Sequence, residues 1–285
     1  MKLIRFLINS NIYVALGAVF LTLETQVQLG MHPQFHPYLF IIFFATLVDY
    51  NFHRLTTVIL HKEALLTEKH RWVRENLNLF YALVIASVLG FFIALTQAKR
   101  EVLITLSPIA LITLFYTVPF FKSRKSIFRL RDIPGLKIFL ISFVWAAITI
   151  FLPIIQSGLT VDKLHVFWMF IERFLFTMAI TIPFDIRDQE VDLKQGLYTL
   201  PIWIGIDKSI LLAVSMIWFF MGIVILHYWV FNQLFMLPAF ILSGLSTIYF
   251  LKNKKIQQLT YYHYGILDGT ILFQGLMVCI SYWIH

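Results

Sequence analysis

The chain has 285 residues, 59% of them hydrophobic and only 13% charged, where an ordinary soluble domain is about 25% charged. With a mean hydropathy of +0.79, that composition excludes a large water-soluble domain and points to apolar segments laid end to end. The formal charge of +8 sits in short polar breaks between apolar runs, a membrane pattern and not a nucleic-acid-binding one, and the single Cys279 excludes an internal disulfide or a Cys-based metal cluster.

Lys2 and Arg5 precede the apolar run Ile12–Leu23 and imitate a signal peptide. The run continues through Glu24 without a small-residue cleavage site, so it reads as a retained first span. Spans are predicted at Asn11–Gln28, Tyr38–Leu60, Leu77–Ala98, Val102–Phe121, Ile138–Ile155, Leu164–Phe184, Ile210–Val230, Leu234–Leu251 and Tyr264–Ile284. The expected fold is all-α, a polytopic bundle of about nine transmembrane helices around a central cavity, with residues 1–285 as one transmembrane domain.

Lys and Arg alternate with these spans. Eighteen lie at the N-terminus and after spans 2, 4, 6 and 8, whereas the opposite side has only Lys99, Arg100 and Lys163. The positive-inside rule then puts the N-terminus in the cytoplasm and the C-terminus outside, and a bacterial inner membrane is the expected location.

Chemistry-bearing residues also fall in chain order. Asp49 and His53, four apart in span 2 and followed by Arg54, share a helix face; ionisable groups inside a span face a cavity or a partner. A structural pair tying helices together is the plainer reading. The loop Lys122–Lys137 is the densest basic segment, suited to holding a diphosphate or simply to touching anionic lipid. Glu172 and Arg173 are adjacent in span 6 and so expected to have different partners; with Asp268 in span 9 they read as structural. Asp185, Asp188 and Asp192, with Arg187 among them, are spaced i, i+3, i+7 where span 6 meets the cytoplasm. Three carboxylates on one face repel unless a cation sits among them, and hard oxygen ligands suit Mg²⁺ carried with a diphosphate. A solvated acidic turn is the alternative. No site is drawn from the 29 Phe, 12 Tyr and 7 Trp, and neither a phosphate-cradling Gly loop nor a Ser/His/Asp arrangement stands out.

The segment DIRDQEVDLKQGLYTLPIWIG, Asp185–Gly205, resembles the second aspartate-rich motif of the UbiA superfamily of intramembrane prenyltransferases. Asp185, Asp188, Asp192, Gly196, Thr199, Leu200, Pro201 and Gly205 all fit it. LFYTVPFFKSR, Leu114–Arg124, is similar to that family's Tyr-Thr-x-Pro segment after the fourth helix and brings in Tyr116, Lys122 and Arg124. The first motif departs. Ala45 and Thr46 stand where Asn and the first Asp are expected, Asp49 and Arg54 are kept, and His53 replaces the last Asp.

The resemblance implies transfer of an isoprenyl group from an isoprenyl diphosphate to a small aromatic or lipid acceptor, dependent on Mg²⁺. Asp49, Asp185, Asp188 and Asp192 would be the catalytic and metal-holding residues, and His53, Arg54, Tyr116, Lys122, Arg124, Lys137 and Arg187 the substrate-binding ones. Thr46 supplies no carboxylate and a neutral imidazole is a poor Mg²⁺ ligand, so His53, Arg54, Lys122 and Arg124 are candidates to contact phosphate directly. The rival readings are a catalytically altered relative that binds isoprenoid or quinone lipids or acts as an assembly partner, and a proton-coupled transporter using Asp49, Glu172 and Asp268.

Overall fold

The computed structural model describes residues 2–60, 68–118, 121–122, 127–133, 135–194 and 196–285. Among them the long helices are α2 (Ile12–Gln28), α3 (Tyr38–Leu60), α5 (Leu77–Leu95), α6 (Arg100–Thr117), α7 (Leu136–Ser157), α8 (Lys163–Lys194), α10 (Ile206–Val230), α11 (Leu237–Lys252) and α13 (Asp268–Ile284). Short helices join them: α1 (Lys2–Asn9), α4 (Glu68–Glu75), α9 (Leu200–Ile204) and α12 (Lys254–Gln257). A two-residue ladder pairs β1 (Phe121–Lys122) antiparallel with β2 (Ile127–Phe128).

The fold is thus all-α and its long helices fall at the nine expected spans. Among the described residues, seven helical stretches are long and apolar enough to cross a membrane, or eight if α1 and α2, bent by 73°, count as one broken span. The protein is therefore integral to a membrane. Helix α3 has the length, but Asp49, Asn51, His53 and Arg54 crowd its second half and keep it out of that set. The charge that hides this helix from a hydropathy criterion is also what lines the cavity described below.

The boundaries differ from expectation for identifiable reasons. The fourth span stops at Thr117 because Val118 precedes Pro119 and turns extended, at φ −92° and ψ 132°. The sixth runs ten residues past Phe184, so that at 1.5 Å per residue α8 is about 48 Å long against a hydrocarbon core of about 30 Å. The helix is thus longer than the layer it crosses, and its charge is concentrated in its last turns, Asp185–Asp192. The last span opens with a π-helical turn, Tyr262–Leu267, before α13.

Helix α13 packs along α2, α8 lies between α7 and α10, and α3 lies on α5. Close approach of α2 and α13 needs Gly275, where a Cβ would collide with the backbone carbonyl of Phe20. One half of the bundle is tied by a buried polar network. The Arg173 guanidinium donates to Glu24 at 2.7 Å and to Gln28 at 2.9 Å, and Gln274 donates to Glu24. Glu172 meets His227 at 2.7 Å, and His227 meets His165 at 2.7 Å. Glu172 and Arg173 thus do have different partners, and each of these buried polar groups is hydrogen-bonded, as a low-dielectric interior demands.

Candidate functional site

A cavity of about 230 Å³ opens among α3, α4, α6, α7, α8 and the start of α13. It is two-sided. Ile112, Ile138, Leu140, Ile141, Val144, Trp145, Ile180 and Ile271 make an apolar wall, with Tyr50 and Trp145 edge to face at 6.5 Å between ring centroids. The rest is ionisable. Five basic side chains (Arg54, Lys69, Arg131, Lys137, Arg187) face four carboxylates (Asp49, Asp185, Asp188, Asp268), with His53 and Tyr116 beside them.

The i, i+3, i+7 carboxylates of α8 do not share one cation. The Lys137 ammonium, in the first turn of α7, lies 2.8 Å from Asp185 and 3.3 Å from Asp192 and bridges them. Gly135 at φ +73°, a conformation that favours glycine, starts α7 and so sets where Lys137 enters. Asp188 turns instead to its neighbour Arg187, which donates to both carboxylate oxygens at 2.7 and 2.9 Å. Asp185 and Asp188 line the cavity, whereas Asp192 is buried outside its wall.

On α3, Asp49 accepts from the Thr117 hydroxyl at 3.1 Å and faces the same cavity as Asp185 and Asp188. Thr46, where the resemblance expects a carboxylate, spends its hydroxyl on the Ile42 carbonyl one turn back and is not in the wall. The His53 imidazole meets the Arg131 guanidinium through Nε2, and Arg131 also lies 5.7 Å from the Tyr116 ring centre. Arg131 comes from a short 3₁₀ turn, Leu130–Asp132, in which Arg129 and Asp132 pair at 3.1 Å. Lys137 and Arg131 are thus the described part of the basic loop that reaches the cavity. Arg124 and the side chain of Lys122 lie outside the described residues.

The remaining face surrounds one aromatic ring. Lys69 Nζ lies 4.3 Å from the centre of Tyr264, Arg187 4.7 Å and Arg54 5.4 Å. Lys69 also donates to Asn11 Oδ1 at 2.7 Å, and Asn11 Nδ2 donates to Asn51 at 2.7 Å. Asn11 sits at φ +62° between α1 and α2, an uncommon conformation for a non-glycine residue that these two buried hydrogen bonds hold in place. Burial pulls the Lys69 ammonium well below the ordinary lysine range; Arg54 adds to this and Asp268 opposes it. Asn11, Lys69, Arg131 and Tyr264 were not singled out by the sequence as site residues. Lys69 counted only as an inside-positive charge and Arg131 only as one residue of the basic loop, and a π-helical turn leaves no periodic signal to place Tyr264.

The donors fit a hard divalent ion only in part. Asp185 and Asp188 offer carboxylate oxygens to the cavity, with Asp49 on the neighbouring helix. Among the described residues, however, no three Asp, Glu, His or Cys side chains converge closely enough to hold a metal by themselves. The expected four-carboxylate cluster does not form, because Lys137 and Arg187 already neutralise the α8 carboxylates. A Mg²⁺ ion here would need phosphate oxygens from a bound ligand to complete its shell, the usual arrangement for this ion.

A sequence model described as the UbiA prenyltransferase family matches residues 67–260. No curated protein sequence matches the chain. Among solved structures, a UbiA homologue from Archaeoglobus fulgidus bound to DMAPP and Mg²⁺ superposes with a TM-score of 0.61 at 14% identity, covering 96% of this chain and 99% of that one. The same homologue bound to GPP and Mg²⁺ gives 0.54 at 14% identity, over 98% and 97%. A digeranylgeranylglyceryl phosphate synthase gives 0.56 at 15% identity, over 98% of both chains. At such identities the likeness is one of fold.

Proposed function

The chain belongs to the UbiA prenyltransferase family, and on that premise we propose that it transfers an isoprenyl group from an isoprenyl diphosphate to a small aromatic or lipid acceptor. The observation that carries this reading is one cavity with carboxylates and guanidinium groups at one end and an apolar, aromatic wall at the other. That polarity matches a ligand with a diphosphate head and a hydrocarbon tail. The solved relatives with DMAPP or GPP and Mg²⁺ support the same ligand class.

In this reading Asp185 and Asp188, with Asp49 across the cavity on α3, would hold Mg²⁺ when the diphosphate is bound. The ion would draw negative charge off the departing diphosphate. Arg187 and Lys137 donate to the phosphates and rebalance the carboxylates they now neutralise. Arg131, with His53 and Tyr116 around it, closes the polar end. Tyr50 and Trp145 shield the allylic carbon as it loses the diphosphate, their ring faces favouring positive charge. The acceptor then bonds to that carbon in place of the diphosphate and gives up its proton to the released pyrophosphate. The whole chain works as one membrane domain, with the N-terminus and the mouth of the polar end at the cytoplasmic face of a bacterial inner membrane.

One observation favours a second reading, a relative that binds isoprenoid lipids without transferring them: Lys137 fills the space between Asp185 and Asp192 where a metal would otherwise be sought. Purified protein in lipid nanodiscs, given Mg²⁺, isoprenyl diphosphates of graded length and a panel of acceptors, separates the two. Prenyl transfer should release pyrophosphate. Asp188→Asn, at the cavity, should lower the rate by about two orders of magnitude, and Asp192→Asn, acting only through Lys137, by about tenfold. Lipid binding without release for any chain length or acceptor would reject transfer in favour of the second reading.

A further inference from the structure

The face around Tyr264 has more donors than acceptors. Arg54 is only 8% exposed, lines the cavity, and has no hydrogen-bond partner for Nε or Nη1. Arg187 Nη1 is likewise buried without a partner, its other nitrogens being spent on Asp188. Buried guanidinium N–H groups without acceptors cost free energy that only an acceptor in the cavity recovers, and the Tyr264 ring steadies the cations without satisfying those N–H groups. Asp268 is the carboxylate that interacts with Lys69, Arg187 and Arg54 together. On the adjoining stretch of α3, Thr46 and His53 stand where the resemblance expects carboxylates of the first acidic motif, and neither offers one.

We propose that Arg54, Lys69 and Arg187, arranged around Tyr264, form a metal-independent clamp that grips one phosphate of the diphosphate directly, in the place a second divalent ion would otherwise occupy. Planar guanidinium groups present paired N–H donors that match phosphate oxygens two at a time, and Lys69, fixed by Asn11, adds a further N–H donor. Mg²⁺ then serves only the Asp185–Asp188 side. This inference rests on the diphosphate reading above for the identity of the ligand, but phosphate recognition without metal can be measured apart from prenyl transfer.

The probe is inorganic pyrophosphate, titrated calorimetrically onto the full chain in phosphatidylcholine nanodiscs, in EDTA and then in Mg²⁺. Saturable binding in EDTA is expected. Arg54→Gln should weaken it by about tenfold or more, and Arg54→Lys, which keeps the charge but loses the paired donors, should restore it only in part. Binding that requires Mg²⁺ overturns the clamp on the wild-type chain alone, whatever the variants do. So does an Arg54→Gln protein that folds and binds as before. Adding phosphatidylglycerol to the discs should leave the affinity unchanged; displacement of pyrophosphate by that lipid would make this a headgroup site and reject the proposal. If pyrophosphate binds in EDTA yet no isoprenyl diphosphate is turned over, the clamp stands and prenyl transfer falls.

Discussion

Lys137 changes what the aspartates of α8 can do. Their spacing places three carboxylates on one helix face, and that much follows from the 3.6-residue turn alone. Spacing within a helix says nothing about cations arriving from other helices. Lys137 enters from α7 to take Asp185 and Asp192, and Arg187, one residue away, folds onto Asp188. The carboxylate positions were therefore legible in the sequence and their partners were not. The same limit hid Lys69, whose neighbour His70 lies within reach of the same cations and gives a test of them. Burial first, and Arg54 next, push the His70 imidazole down to about 3, from an ordinary value near 6.5. The folded value lies below the unfolded one, so the unfolded chain binds the proton first. The stability this neutral imidazole contributes is complete above about pH 6.5 and is lost as pH falls towards about 3. His70→Gln, which cannot take up a proton, should show a smaller drop in melting temperature between pH 7.5 and pH 5 than the wild type. Equal drops in the two proteins would show that His70 is not what acid acts on.

Among the elements, two depart from regular helix where the site is built. The break between α1 and α2 hangs on Asn11, and the π-helical turn Tyr262–Leu267 brings Tyr264 to the cavity. The long helices themselves were readable as apolar runs of span length. The two irregularities were not, because each is decided by what the turn must reach: Lys69 and Asn51 for Asn11, and three cations for Tyr264. A π-helical turn holds one residue more than α-helical spacing allows and recurs at functional sites. Removing that residue tests whether the turn has this role. Deletion of Gly265 should let the segment continue α13 as ordinary α-helix and swing Tyr264 by about 100° around the axis. Helical content by circular dichroism should be kept, while pyrophosphate affinity falls by about tenfold, or about 1.4 kcal/mol. A well-folded deletion variant with unchanged affinity would mean that the ring's position, and so the extra residue, does not matter to the anion.

For the molecule as a whole, the charge asymmetry makes a physical claim about direction. The aspartates of α8 lie near the C-terminal end of a helix about 48 Å long, and the loops expected on that side carry most of the Lys and Arg. If those loops face the cytoplasm, as positive residues in short loops do, the polar end of the cavity opens where a water-soluble diphosphate is made available, and the apolar wall lies deeper, towards the lipid. The single native cysteine makes this checkable. Cys279 is buried at 8% exposure and is replaced by Ser to give a silent background. Thr160, in the turn between α7 and α8, and Glu190, near the C-terminal end of α8, are both exposed and lie on opposite sides of the expected membrane. On intact cells a membrane-impermeant maleimide should label Thr160→Cys and leave Glu190→Cys unmodified until the membrane is opened, after which both should react. The reverse pattern would place the carboxylates of α8 outside the cell, away from any cytoplasmic diphosphate, and the orientation and the donor proposed for the site would fall together.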